Sequence, residues 1–370
     1  MKKILILTGR YLPGHKDGGP LRTLINVTDA LGDEYEFYIG CLDRDHGDDK
    51  PYQNIKKDEW NQVEKAKVWY VEPGQFTNEL LLRLVSGKDL IYLCSFYDDY
   101  GYKLLLLNKK NKIQCPVVVA SMGVFAEAAL KQKSAKKRIF ISLCKFLGLF
   151  KNITWSVTSE LEAKDVKKAM GNNIDYIVAE DLPRLSIPGK TKKEYSGILK
   201  VVFLSRICAH KNLDFAIRAL NKMKEPVEFT IYGPIQEMEY WEKCEELLKN
   251  VRFSWTYGGD VTSEQVQKTL ADYDVLIFPS KSENYGHVIF EALSVGCIPV
   301  ISDKTPWNEL NNKKAGYELP LDESIFTNTL DDFANLSVQE KEKLENNAIQ
   351  YANEKLTTSL KETGYRKIFG

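Results

Sequence analysis

Two glutamates eight residues apart, Glu283 and Glu291, bracket the stretch Ser282-Glu283-Asn284-Tyr285-Gly286-His287-Val288-Ile289-Phe290-Glu291. A carboxylate accepts hydrogen bonds from hydroxyls, and a helix that starts between two of them turns free N–H groups outward, toward an anion. Gly286 lets the backbone come close to a ligand. A compound that is part polyol and part phosphate suits such a pair, and a nucleotide sugar is both. Two acids near a helix start also arise because acids suit the positive end of its dipole, so the pair needs support from elsewhere. Arg206 and Lys211 supply it, five residues apart in the loop 205–212. A planar guanidinium and a compact ammonium can hold one diphosphate and stabilise charge growing on a departing nucleoside diphosphate. Other enzymes give that work to a metal. Near the N-terminus, Gly18 and Gly19 ahead of Pro20 let the chain pass close to a phosphate or a sugar.

These residues need strand ends and helix starts to hold them. Residues 274–279 form an apolar run that reads as a buried parallel strand, and 288–293 have helical spacing up to Gly296. In the first half, strands are expected at 4–7, 35–41, 67–71, 90–94, 116–120, 155–158 and 176–178. Helices are expected at 21–31, 77–85, 101–108 and 159–170. The polar stretch 180–197 reads as a linker. Alternation then resumes, with strands at 200–204, 227–232, 253–257 and 298–301 and helices at 213–223 and 237–248. This pattern predicts an α/β protein of two doubly wound, Rossmann-like domains facing a cleft. The expected bounds are 1–182 for the first domain and 198–352 for the second, with 353–370 as a final helix. The junctions at Arg206, Gly233, Asp260 with Val261, and Glu283 all follow strands of the second domain, where ligands of such sheets bind.

Composition narrows the class. The 370 residues carry 51 basic and 51 acidic side chains, so no global charge points to nucleic acid. No apolar run is long enough to span a membrane, and the N-terminus reads as a strand rather than a signal peptide, which implies a cytoplasmic protein. Seven cysteines without a Cys-x-x-Cys pair argue against disulfides and zinc. Asp43-Arg44-Asp45 is a formal Asp-x-Asp, but it opens the charged stretch 43–57, expected to be an exposed, mobile loop, and is not read as a metal site. Between Lys131 and Lys151 there are seven basic residues, no acid and a strongly apolar second part. The lysine cluster suits peripheral contact with an anionic membrane face, and the apolar part is expected to pack on the domain's own sheet.

Arg206-x4-Lys211-Asn212 followed by Glu283-x7-Glu291 resembles the retaining family-4 glycosyltransferases of the GT-B fold. Pro279-Ser280, the run Glu291–Gly296 and Ser302-Asp303-Lys304-Thr305-Pro306-Trp307 extend the resemblance toward members that build bacterial surface polysaccharides, and Gly18-Gly19-Pro20 matches the family's N-terminal signature. The resemblance implies transfer of a hexose-type sugar, with retained configuration and no metal or other cofactor, from a nucleotide-diphosphate donor with UDP favoured. The acceptor would be a glycan, lipid-linked, in polysaccharide or glycoconjugate synthesis. Glu283 would hold donor-sugar hydroxyls, with the backbone of Asn284, Tyr285, Gly286, His287 and Val288 lining sugar and phosphates. Glu291 would hold the ribose, Arg206 and Lys211 the diphosphate, the Gly258–Val261 turn with Asp260 the base, and Gly233 would lie on the donor side. The first domain would bind the acceptor, the second the nucleotide sugar, and the helix of 353–370 would cross back to the first. Relatives commonly place His or Arg before a glycine near the sugar, where this chain has Met122 ahead of Gly123. His15 is the candidate to compensate, and Glu127 is an acceptor-side candidate. The alternatives are a nucleotide-sugar 2-epimerase of the same architecture and a silent nucleotide-binding scaffold.

Overall fold

The computed structural model describes residues 1–125, 134–190, 195 and 197–370, with only the backbone described for 134–138. The chain divides into two compact units, one of Met1–Leu182 with Ser359–Gly370, the other of Pro183–Thr358. The polar stretch after Leu182 is therefore not a free linker. Lys190 pairs with Glu345 at 2.6 Å and the Tyr195 hydroxyl donates to Glu345 at 2.6 Å, both within the second unit.

The first unit runs β1 (Lys2–Leu7), α1 (Gly19–Leu31), β2 (Tyr35–Leu42), β3 (Asn61–Val63), β4 (Ala66–Val71), α2 (Asn78–Val85), β5 (Leu90–Leu93), α3 (Asp99–Lys109), β6 (Val117–Ala120), α4 (Ser134–Phe146), β7 (Thr154–Val157), α5 (Glu160–Met170) and β8 (Asp175–Val178). Its sheet has the order β3-β4-β2-β1-β5-β6-β7-β8, parallel except for the β3–β4 hairpin. Strand alternation sends Leu5 and Leu7 into one core and Ile4 and Ile6 into the other, so both faces of the sheet are covered. β3 escaped the sequence reading because its Asn-Gln-Val is short and polar.

The second unit runs β9 (Leu199–Leu204), α6 (Leu213–Asn221), β10 (Val227–Tyr232), α7 (Met238–Leu248), β11 (Ser254–Gly259), α8 (Val266–Leu270), β12 (Val275–Phe278), α9 (His287–Ser294), β13 (Ile298–Ser302), α10 (Leu310–Lys313), β14 (Tyr317–Leu319), α11 (Glu323–Ala334) and α12 (Val338–Glu362). The parallel sheet has the order β11-β10-β9-β12-β13-β14. Strand order reverses between β9 and β12, the place where open α/β sheets bind ligands beyond their carboxyl ends. The last helix, α13 (Tyr365–Phe369), belongs to the first unit. There Phe369 lies 5.6 Å from the ring of Phe37 and 5.8 Å from that of Tyr92.

The charged stretch after β2 departs from the expectation of an exposed loop at its start. Asp43 and Asp45 are buried, because they answer backbone and side-chain donors of the unit. Asp45 accepts from the N–H groups of His15, Lys16 and His46, and Asp43 is bonded by Arg44.

Candidate active site

The two loops that flank the strand reversal are sewn together. Asn212 donates through its side-chain amide to the carbonyl of Pro279 at 3.1 Å, and His210 Nε2 lies 2.8 Å from the carbonyl of Ser282. The Lys281 N–H donates to the carbonyl of His210 at 3.0 Å. Within this seam Lys211 Nζ makes an ion pair with Glu283 Oε1. Both side chains are close to nine-tenths buried, and Lys211 also lies 5.3 Å from the ring centroid of Phe278. Two residues that sequence reading assigned to one ligand thus touch each other.

Arg206 sits earlier on the same loop, where Nη1 donates to Gln236 Oε1 at 3.0 Å. That contact ties the loop after β9 to the loop after β10. Backbone bonds do the same: Ile207 N–H to Pro234 O at 2.9 Å and Ser205 N–H to Tyr232 O at 3.0 Å. Gly233 makes this fit possible. Its φ is +126°, and a Cβ there would lie 2.0 Å from the carbonyl oxygen of Ser205.

Glu283 is held by its own N–H donating to Lys304 O at 3.2 Å. Gly286 precedes α9 in the left-handed region, φ 79° and ψ 61°, so the chain turns sharply into the helix. The indole N–H of Trp307 donates to the carbonyl of Tyr285 at 2.6 Å, with the two rings packed edge to face. This is the physical role of the Ser302-to-Trp307 motif: it clamps the loop that carries Asn284, Tyr285, Gly286 and His287. Glu291, on the second turn of α9, is buried and lies 3.7 Å from Arg184 Nε. Arg184 also donates to Ser263 O at 2.6 Å. Sequence reading missed Arg184, since nothing marks a single arginine inside a polar stretch. It also left His210 without a role, although its place next to Lys211 was the available signal. Asp260 and Val261 follow the edge strand β11, two strands from β9.

The first unit offers a separate group. Gly18 caps α1 at φ 65° and ψ −132°, a conformation open to glycine, while a Cβ on Gly19 would meet nothing within 4 Å. His15 Nδ1 lies 3.4 Å from the buried Asp45. Met122 has a left-handed φ of 42°, uncommon for a side chain of its kind, and precedes Gly123 at φ 74°. Glu162, another residue that sequence reading missed, fixes this turn by accepting from the N–H of Gly123 and, at 2.6 Å, from that of Thr158. Glu127 lies outside the described residues. Among the described residues no three His, Cys, Asp or Glu side chains gather as a metal site.

Residues 190–354 match the family model described as glycosyl transferases group 1. A stretch of 105 residues is 30% identical to an uncharacterized glycosyltransferase of Methanocaldococcus jannaschii, covering 28% of this chain and about a quarter (26%) of that protein. Over the whole chain the fold is similar to HepE of Anabaena in complex with UDP-glucose, with TM-score 0.73 and 16% identity, covering 100% of this chain and 99% of that one. It is also similar to sucrose-phosphate synthase of Thermosynechococcus elongatus, with TM-score 0.70, 14% identity, and coverage of 100% and 99%. WaaG, a glycosyltransferase involved in lipopolysaccharide biosynthesis, matches with TM-score 0.64 and 13% identity over 97% of each chain. The chain has the GT-B fold, and its residues 190–354 are similar to the group 1 glycosyl transferases.

Proposed function

We propose that the protein is a retaining glycosyltransferase that moves a hexose-type sugar from a UDP donor to a lipid-linked glycan in polysaccharide or glycoconjugate synthesis, without a metal. The observation that carries this reading is the seam at the strand reversal. It holds Lys211 against Glu283 and places Arg206 on the same loop. The UDP and UDP-glucose complexes of HepE support the choice of donor base.

In this reading Glu283 accepts hydroxyls of the donor sugar and Glu291, steadied by Arg184, those of the ribose. Lys211 and Arg206 hold the diphosphate. As the bond from the anomeric carbon to the phosphate oxygen breaks, negative charge gathers on the phosphate, and the two cations stabilise it. The acceptor oxygen bonds to the anomeric carbon on the face the phosphate leaves, and its proton passes to a phosphate oxygen of UDP. Lys211 is then the link between sugar and leaving group, since Glu283 already faces it.

The test is release of UDP from a panel of UDP-hexoses with and without glycan acceptors. Glu283→Gln keeps the size of the side chain, and its turnover is expected to fall by roughly a hundredfold or more. EDTA is expected to leave the rate unchanged, and the product anomer, read by proton NMR, to match the donor. Conversion of UDP-GlcNAc without an acceptor would replace this reading with the epimerase one. Wild-type turnover in Glu283→Gln would overturn it.

A further inference from the structure

Helix α4 is apolar on two opposite sides. Ile141 and Cys144 are buried in the first unit's core. Ile139, Leu143 and Phe146, at helical spacing i, i+4 and i+7, form a second stripe that is 69%, 52% and 87% exposed. From the sequence the apolar part is expected to pack inward, but Ile139, Leu143 and Phe146 face out. Three large apolar side chains exposed together on one helix face mark a surface for another body.

Charge says what covers it. The end of α3 and the turn after it carry Lys109, Lys110 and Lys112, and they come together with the C-terminal end of α4. The two ends enclose a pocket of about 460 Å³ lined by Lys109, Asn111, Lys145, Phe146, Lys151 and Asn152; the Lys145 ammonium also donates to the carbonyl of Ala169 at 3.0 Å. No carboxylate among the described residues lines it. Lys145 and Lys151 belong to a segment of seven basic residues and no acid. The remaining five precede Ile139 in the chain, on the side that leads back to the turn of Met122 and Gly123. Three lysines with no acid among the residues lining one opening suit a phosphate, and the exposed apolar stripe adjoins it at Phe146.

We infer that α4 is a monotopic docking helix for an anionic phospholipid bilayer. Ile139, Leu143 and Phe146 enter the acyl boundary, and the pocket of Lys109, Lys145 and Lys151 takes a lipid phosphate. The turn of Met122 and Gly123 follows β6, which precedes α4, so docking holds acceptor-side residues near a lipid-borne acceptor. In that respect the inference deepens the lipid-linked reading above. It does not depend on the transfer chemistry.

The experiment is flotation of the full chain with vesicles of phosphatidylcholine alone and of phosphatidylcholine with an equal part of phosphatidylglycerol. Wild type is expected to float with the anionic vesicles, to stay behind with the neutral ones, and to lose binding as salt rises. Leu143→Ser/Phe146→Ser and Lys109→Gln/Lys151→Gln are each expected to weaken binding by roughly tenfold or more, with unchanged thermal melting. UDP-sugar binding, measured in solution, stays at the wild-type level in both. Retention of lipid binding in both pairs, or no flotation of wild type with anionic vesicles, overturns the inference. So does self-association of wild type in sedimentation velocity that Phe146→Ser abolishes, which would assign the stripe to a second copy. Loss of turnover on UDP-sugars with lipid binding intact would instead strike the transferase reading and leave the docking helix standing.

Discussion

Lys211 and Glu283 carry most of what can be tested one side chain at a time. Both are largely buried, so removing one strands the other's charge in a poorly solvated place. Lys211→Ala and Glu283→Ala are each expected to lose about 3 kcal/mol of stability, in denaturant melts, as well as activity. The double variant Lys211→Met/Glu283→Leu is expected to regain most of that stability and to stay inactive, which would separate the seam's part in folding from the part proposed for it in transfer. The two residue types were legible because each lies just after an apolar strand; their contact needed the strand order. Glu291's partner Arg184 was not legible, and neither was the burial of Asp45, since a charged tripeptide looks solvated until the N–H groups that fill its oxygens are seen. Asp181 offers a pH test. Burial pushes its carboxyl up to about 7, outweighing the hydrogen bond from Thr23 that lowers it. A carboxyl whose folded pKa lies above its unfolded value favours folding while protonated, and that support is lost as pH rises toward 7. The melting temperature of Asp181→Asn is therefore expected to pull ahead of wild type between pH 5 and 8, with the gap level above that (differential scanning calorimetry across buffers).

Among the elements, the turns separate glycines that the fold needs from one that it does not. Gly233→Ala forces a methyl against the Ser205 carbonyl in a backbone region closed to alanine. It is expected to destabilise the second unit by roughly 3 kcal/mol or more, seen as early loss of hydrogen-exchange protection in β9 and β10. Gly19→Ala meets open space. Its melting temperature should match wild type, while the KM for the donor rises if a phosphate or sugar approaches that turn. Strands buried on both faces read directly as apolar runs, which is why nearly every parallel strand was found within two residues of its place. β3 and β14, three residues each, carry no such signal. α4 was legible as basic and apolar, but which apolar residues face out depends on how the helix lies on the sheet.

At the scale of the molecule, the two-unit plan was legible from the repeated alternation, and the balanced charge from composition. The return of the final helix was implied by the family resemblance, not by the alternation. Residues 359–370 return to the first unit, and Tyr365, Ile368 and Phe369 complete the core that contains Ile4, Ile6, Phe37 and Tyr92. Arg366 adds a two-pronged pair with Glu34, at 2.9 and 2.7 Å. Truncation before Thr363 is expected to expose the first unit to limited proteolysis and to spare the segment 183–358. The same return path sets an order of events on the ribosome. Every residue of the second unit is made before Tyr365, so the first unit's core keeps an open hydrophobic seat until the last helix arrives.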